Sequence, residues 1–310
     1  MIKLSIVAPV YNEEASVKEL HREIVAAINP LGYSYEIIFV DDGSSDDTVK
    51  NAIELKPLKL VSLQRNYGQT PAIDVGINQA HGEIIVLLDA DLQNDPADIP
   101  KLLTKMEEGY DVVIGQRQGR KEKLGRVIFS KIANSVARGL LGVKIHDFGC
   151  GLKAYRSRLI KDFRLWGESQ VFLPAVAKSR GAKIGEVFVT YHPRQFGSAK
   201  VKISKMVRGV LDLFSIVFFV KYFSKPLRFF GGWGLVSLFL SVIAFAGSIY
   251  LKIAEIKNFS DSPLPLIGTL FAISGVVLFM MGLLAEMILR IYYQEIKYSP
   301  YVIKEIKDQN

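Results

Sequence analysis

The residues best placed to do chemistry are Asp89, Asp91 and Gln93, in the stretch Leu87-Leu88-Asp89-Ala90-Asp91-Leu92-Gln93-Asn94-Asp95-Pro96. An apolar run, Ile84–Leu88, leads directly into them. Residues two apart on an extended chain point to the same side. The spacing therefore predicts two carboxylates and an amide oxygen gathered at the end of a buried strand. Such an all-oxygen set suits a hard cation, Mg²⁺ or Mn²⁺, and Mg²⁺ commonly shares its shell with substrate phosphates. The plainer reading is a strand followed by a polar turn, with Asp95-Pro96 capping the next helix.

A second cluster, Asp41-Asp42-Gly43-Ser44-Ser45-Asp46, also precedes a helix pattern. On its own it could be no more than a helix cap; beside a carboxylate pair it reads as a seat for a ribose or base, since carboxylates accept well from ribose hydroxyls. The sequence holds neither a GxGxxG turn nor a GxxxxGK[ST] phosphate loop. A diphosphate would thus be neutralised by the cation and by basic side chains. Arg117, Arg120, Lys121 and Arg126 follow one strand candidate, and Arg194 and Lys200 bracket a Gly197-Ser198 turn that reads as a phosphate clamp.

These residues need a scaffold, and the first part of the chain supplies a regular one. Strand candidates are Leu4–Ala8, Tyr35–Val40, Leu58–Leu63, Glu83–Leu88 and Asp111–Ile114; helix patterns between them cover Glu13–Ile28, Asp46–Leu55, Thr70–Ala80 and Pro96–Glu107. The strands are almost continuously apolar, as in a parallel sheet covered on both faces. Alternation of this kind implies right-handed crossovers and a doubly wound α/β sheet, whose ligands bind beyond the carboxyl ends of the strands. Tyr11-Asn12-Glu13, Asp41–Ser44, Gln64-Arg65-Asn66 and Asp89/Asp91 all fall there.

The remainder reads as membrane-associated. Of 310 residues 49% are hydrophobic, and the excess lies between Phe229 and Leu289. Phe229–Leu251 and Leu266–Leu289 each exceed the roughly 20 apolar residues needed to cross a bilayer. Their outer flanks are basic (Lys221, Lys225 and Arg228 before, Arg290, Lys297, Lys304 and Lys307 after), whereas the connecting loop Lys252–Pro265 has no positive excess. The positive-inside rule then places both ends in the cytoplasm. No signal peptide is visible ahead of the first strand. Lys123–Leu141 and Val201–Phe223 carry basic residues along apolar stripes, the pattern of helices lying on anionic lipid. The formal charge of +8 points to anionic partners. Nucleic acid is not among those expected, because the basic residues gather near the spans and no nucleic-acid-binding motif is present. The one cysteine, Cys150, leaves no internal disulfide, in keeping with a reducing compartment. Two spans without paired internal charges make a poor transport pathway, so a transporter or bare anchor is the weaker reading.

Taken together, Pro9-Val10-Tyr11-Asn12-Glu13-Glu14, Asp41-Asp42-Gly43-Ser44, Asp89-Ala90-Asp91-Leu92-Gln93 and Arg194-Gln195-Phe196-Gly197-Ser198-Ala199-Lys200 resemble the motif set of family 2 glycosyltransferases. The resemblance is closest to the polyprenyl-phosphate branch, with dolichol-phosphate mannose synthases and bactoprenol glucosyltransferases. It implies a GT-A fold over residues 1–200 (Rossmann-like, mostly parallel), a juxtamembrane amphipathic helix over 201–228, a transmembrane hairpin over 229–289 and a cytosolic tail over 290–310. It implies inverting transfer of one hexose from UDP-glucose, or alternatively GDP-mannose, to polyprenyl (undecaprenyl) phosphate on the cytoplasmic face of the inner membrane. Pro9, Tyr11, Glu13, Asp41 and Asp42 would then meet the nucleotide. Asp89, Asp91 and Gln93 would hold Mg²⁺ or Mn²⁺ and the diphosphate, and Arg117, Arg126, Arg194, Ser198 and Lys200 would meet phosphates. Asp147 stands where the family places a candidate base. No QxxRW motif of processive synthases is present, which implies a single transfer. A phosphate acceptor is already largely dianionic near pH 7, so Asp147 is expected to orient rather than deprotonate. The sugar, the lipid length and the number of copies in any homo-oligomer stay open at this stage.

Overall fold

The computed structural model describes residues 2–118, 139, 145–161, 163–165, 167, 169–193, 218, 226–295 and 303–309. The helix expected over 123–141 (Gly139 apart) and almost all of the juxtamembrane segment 201–228 lie outside the described residues. So do Arg126, Arg194, Ser198 and Lys200. The chain divides into two compact units, Met1–Ile216 with Ser299–Asn310, and Val217–Tyr298.

The first unit is built on an eight-stranded sheet. Its elements are β1 (Leu4–Val10), α1 (Val17–Ile28), β2 (Tyr35–Asp41), α2 (Thr48–Ala52), β3 (Leu58–Leu63), α3 (Gln69–Gln79), β4 (Ile84–Leu87), α4 (Ile99–Glu107), β5 (Val112–Arg117), β6 (Lys153–Arg156), α5 (Ser157–Ile160), α6 (Leu173–Ser179) and β7 (Ile184–Val189). The sheet order is β7-β5-β6-β4-β1-β2-β3 with a final strand at the β3 edge. β1, β2, β3 and β4 pair in parallel, as do β5 and β7, while β6 runs antiparallel between β4 and β5. β1 to β4 are apolar and buried nearly throughout, because helices cover both faces. The connections diverge on either side of β1, so the switch point falls between β1 and β4, the place where doubly wound sheets open a crevice.

All five expected strands are present, with shifts of a few residues at their ends. The helix expected from Glu13 begins at Val17. Asn12 adopts a left-handed conformation (φ 53°), and the Glu13 amide donates to Thr48 Oγ1 at 2.7 Å instead of entering the helix. Two strands of the core, β6 and β7, were not expected. β6 is four residues long with a charged residue at each end, too short for an apolar pattern. The tail was given no strand from the sequence; β8 (Ile303–Gln309) pairs antiparallel with β3 from Leu58↔Gln309 to Leu63↔Ile303. Its sequence, Ile-Lys-Glu-Ile-Lys-Asp-Gln, has the charge content typical of an edge strand rather than the apolar signature of a central one.

The second unit contains α7 (Pro226–Ile253) and α8 (Leu264–Glu295). Both are long and apolar enough to cross a membrane, with mean hydropathy 2.1 for Pro226–Ile253 and 2.3 for Leu264–Ile288. The two spans expected from the sequence fall inside them. Gly231, Gly234, Ser237, Ser241, Ala244 and Ser248 recur every three or four residues and form the buried face of α7. Ser237 Oγ donates to the Phe271 carbonyl and Ser241 Oγ to the Gly268 carbonyl, each at 2.7 Å. Gly234 and Gly275 let the two backbones approach: a Cβ on Gly234 would stand 2.8 Å from the Gly275 oxygen. Small residues of this kind are what permit close helix contact where no hydrophobic force favours it.

Candidate active site

The loops after β1 and β2 are laced together by polar contacts. The Asn12 amide donates to Ser44 Oγ and the Ser45 amide to Asn12 Oδ1, both at 2.9 Å. Asp41, buried at the last position of β2, accepts from the Ser44 amide at 3.1 Å. Tyr11 is 45% exposed, so its ring is available beside this lacing. Pro9 lines the cavity described below. Gly43 sits at φ 73°, and a Cβ there would lie 2.5 Å from the Arg65 carbonyl carbon; the β2 loop therefore rests directly on the backbone that follows β3.

Asp42 turns away from Asp41. Its two carboxylate oxygens accept from the Tyr67 and Gly68 amides at 2.7 and 2.8 Å. Burial pushes its carboxyl up against those amides, which favour the charged form. In this arrangement its geometry is that of a brace between the β2 and β3 loops.

β4 ends at Leu87, two residues before Asp89. Ala90 and Asp91 form a turn, and Leu92 is left-handed at φ 55°. The two acids therefore come together through a turn beyond the strand, and not through the side-chain alternation of an extended chain, as the spacing had suggested. Gln69 Nε2 donates to Asp89 Oδ1 at 2.7 Å, and the Gln93 amide donates to Asp91 Oδ1 at 3.2 Å. Burial, reinforced by the adjacent Asp91 charge, pushes the Asp89 carboxyl up to about 6. Gly151 packs so closely that a Cβ there would lie 2.0 Å from Asp89 Oδ2.

Asp147 is buried at the start of the Asp147–Gly151 loop, whose Gly149, Cys150 and Gly151 line the cavity described below. Arg117, at the end of β5, grips it in a two-pronged ion pair: Nε to Oδ2 and Nη2 to Oδ1, each 2.7 Å. Arg117 also lies over the Tyr191 ring, 5.2 Å from its centroid. Although burial disfavours the guanidinium charge, Asp147 holds its pKa above the ordinary arginine value. The sequence suggested Arg117 as a phosphate ligand; its Nε and one terminal nitrogen are in fact committed to Asp147.

A cavity here is lined by Pro9, Gln69, Leu88, Asp89, Gly149, Gly151, Lys153 and Gln170, among others. Gln170 Nε2 donates to Gln69 Oε1 at 3.2 Å, which continues the chain that ends on Asp89. Sequence reasoning missed Gln69, Gln170 and Lys153. The signal for Lys153 was present in hindsight: it follows the Gly-Cys-Gly loop closely and begins β6, whose antiparallel course places it opposite Leu87 of β4.

A hard divalent cation suits this mouth. Two carboxylates stand close enough for one to raise the other's pKa, and the inner one is held against a glycine that admits no side chain. Among the described residues no group of three or more His, Cys, Asp and Glu side chains forms a ligand set, so such an ion would draw further oxygens from amides, water or a ligand.

Residues 5–164 match the family described as Glycosyl transferase family 2, and residues 225–291 match the GtrB C-terminal hairpin. The chain is 39% identical to dodecaprenyl-phosphate galacturonate synthase of Rhizobium johnstonii, over 99% of this chain and 94% of the relative. It is 36% identical, over the same shares, to undecaprenyl-phosphate 4-deoxy-4-formamido-L-arabinose transferase of Klebsiella pneumoniae. Glucosyl-3-phosphoglycerate synthase of Mycobacterium tuberculosis, solved with Mn²⁺, UDP and glucosyl-3-phosphoglycerate, shares the fold at 22% identity and a TM-score of 0.55, over 71% of this chain and 80% of that one.

Proposed function

The chain belongs to glycosyl transferase family 2, and on that premise we propose that it moves one sugar from a nucleotide diphosphate to polyprenyl phosphate. The observation that carries this reading is Asp89, which lines a cavity on the carboxyl edge of the sheet with the Asp91 charge beside it. The full-length likeness to two polyprenyl-phosphate sugar enzymes, hairpin included, supports the lipid acceptor.

In this reading the β1 and β2 loops, with Pro9, Tyr11, Glu13 and Asp41, receive the nucleoside. Asp42 acts on it indirectly, by fixing the β3 loop. Asp89 and Asp91, with Gln93, hold Mg²⁺ or Mn²⁺, which when bound supplies charge to stabilise the leaving diphosphate. A lipid phosphate oxygen forms its bond to the anomeric carbon while the bond from that carbon to the diphosphate breaks on the opposite face, so the centre inverts. The acceptor has a second pKa of about 6 and needs little deprotonation near neutrality. Asp147 fits that economy: an acid gripped from two sides by a guanidinium is a weak base but a rigid support. Its role is to orient, with Arg117 as its partner. Arg126, Arg194, Ser198 and Lys200 remain the proposed contacts for phosphates of acceptor or donor.

The donor is proposed to be a uridine diphosphate sugar. UDP-glucose is the choice made from the sequence, GDP-mannose is the alternative, and the two relatives add galacturonate and 4-formamido-arabinose to the sugars worth testing. Residues 1–200 form the transferase domain and 229–289 the anchor. We place the enzyme on the cytoplasmic face of the inner membrane, against anionic lipid. Two crossings return a chain to the side it left, and the pairing of β8 with β3 supports this arrangement of both ends. The test is to incubate the full-length protein with undecaprenyl phosphate and each nucleotide sugar, with and without EDTA, and to identify the nucleotide released. UDP formation that requires both lipid phosphate and divalent metal is the expected result. Release of GDP selects the alternative donor, and release of pyrophosphate replaces sugar transfer with nucleotidyl transfer.

A further inference from the structure

Lys153 is only 5% exposed, yet it lines the cavity. Among the described residues its ammonium makes no hydrogen bond and no ion pair. The neighbouring cation, Arg117, does not line the cavity and is matched by Asp147 at 2.7 Å. Asp89 and Asp91 form a like-charged pair whose natural complement is a divalent ion. Lys153 is therefore the one cation lining the cavity, and it lies within electrostatic reach of Asp89 and Asp147 without a direct ion pair to either among the described residues. Burial pushes its pKa down, as expected of an ammonium held away from water before its partner arrives. A lysine kept merely as a counter-ion to Asp89 would be expected in direct contact with it; the carboxylate instead takes its hydrogen bond from Gln69.

Resting on the nucleotide-sugar reading above, we propose that Lys153 receives an anionic oxygen of the bound donor, from its diphosphate or from a carboxylate on its sugar. Lysine suits this task as a compact point charge on a long stem, able to reach one oxygen without the planar geometry that arginine requires. The strand that carries it is fixed on both sides, opposite Leu87 of β4 and Ile114 of β5, so the stem starts from a rigid base. The Gln170–Gln69–Asp89 chain borders the same cavity that Lys153 lines, and its hydrogen bonds do not engage the lysine.

The experiment measures binding of UDP, UDP-glucose and UDP-glucuronate, with Mn²⁺, to the full-length protein in detergent and to its Lys153→Gln and Lys153→Arg variants. Loss of one charge-assisted contact should weaken binding about tenfold to a hundredfold in Lys153→Gln. Weakening that already appears with UDP assigns the diphosphate; weakening confined to UDP-glucuronate assigns the sugar carboxylate. A Lys153→Gln protein that melts like wild type and binds all three probes as tightly overturns the proposal. If that variant does not fold, Lys153→Arg decides: a purely structural role predicts wild-type KM for the donor once charge restores the fold, whereas donor contact predicts a raised donor KM with the lipid KM unchanged. Wild-type protein that binds none of the probes would remove the nucleotide-sugar reading itself, a result distinct from failure of Lys153 alone.

Discussion

The sheet unit and the helical hairpin handle buried polarity in opposite ways. In the sheet unit, Asp41, Asp42, Asp74, Asp98, Asp147 and Lys153 are all buried. Several are satisfied by backbone amides or by an arginine fork, and they concentrate where loops leave the carboxyl edge. The hairpin buries no charged side chain among its described residues; its inner face holds glycine, alanine and serine, and its outer face is apolar, with Phe239 and Val242 both 65% exposed. In water a domain conceals its apolar groups, and can keep a charge inside if a partner is supplied. In lipid the apolar groups face outward, and the interior serines donate to carbonyls across the interface. Among the described residues, charge burial is thus confined to the sheet unit.

That contrast can be broken at several points. On the proposed role of Asp91 in holding the cation that stabilises the leaving group, Asp91→Ala should lower sugar transfer at least about a thousandfold; lipid-linked product counted by mass spectrometry is the readout. Gly151→Ala should come next. Its methyl group would collide with the Asp89 carboxylate, and displacing a catalytic group by about 1 Å commonly costs about a hundredfold. Because the fold should survive, the loss should appear in transfer and in Mn²⁺ affinity together. Asp147→Asn should reduce kcat by only about tenfold to a hundredfold, the range of a lost charged hydrogen bond. An Asp147→Asn enzyme as inactive as Asp91→Ala would return the residue to the role of base.

The smaller effects concern stability. Asp89 has a folded pKa near 6, above the unfolded value of about 4. The folded metal-free protein therefore binds more protons than the unfolded chain between those values, and its stability declines as pH rises through that window. Above pH 6 the ionised acid is a cost to the metal-free fold, so Asp89→Asn should raise its melting temperature at pH 7.5 by about 2–4 °C, equivalent to about 1 kcal/mol. Added Mn²⁺ should stabilise wild type and not the variant. In the hairpin, Ser241→Val removes one interhelical hydrogen bond and should cost about 0.6 kcal/mol in detergent, with transfer little changed. A large loss there would mean that the anchor's interior is as demanding as the active site.

How much of this was legible in the sequence follows from the physics of each part. β1 to β5 could be read because a parallel sheet covered on both faces demands continuous apolar runs, and the two long helices because a bilayer demands them. β6 could not, since four residues carry no period, and neither could β8, since an edge strand tolerates as much charge as a loop. The carboxylate pair was visible as a spacing, but its convergence depends on the left-handed Leu92 and on Gly151, sixty residues further along the chain. Asp42 looked the same as Asp41 in sequence; only the Tyr67 and Gly68 amides distinguish them. Lys153 was hidden because a lysine normally signals surface, and its burial depends on an antiparallel strand that the pattern did not announce.

The return of the chain to the β3 edge after the two apolar helices has a practical consequence. The hairpin is not a terminal appendage that can simply be trimmed. A soluble version cut off before Pro226 would also lose seven residues of strand, leaving the outer row of β3 amides and carbonyls bare. Such a fragment should be prone to sticking edge to edge. A polar linker in place of the hairpin, with Ile303–Gln309 kept, would retain the closing strand and is the better route to a water-soluble catalytic unit.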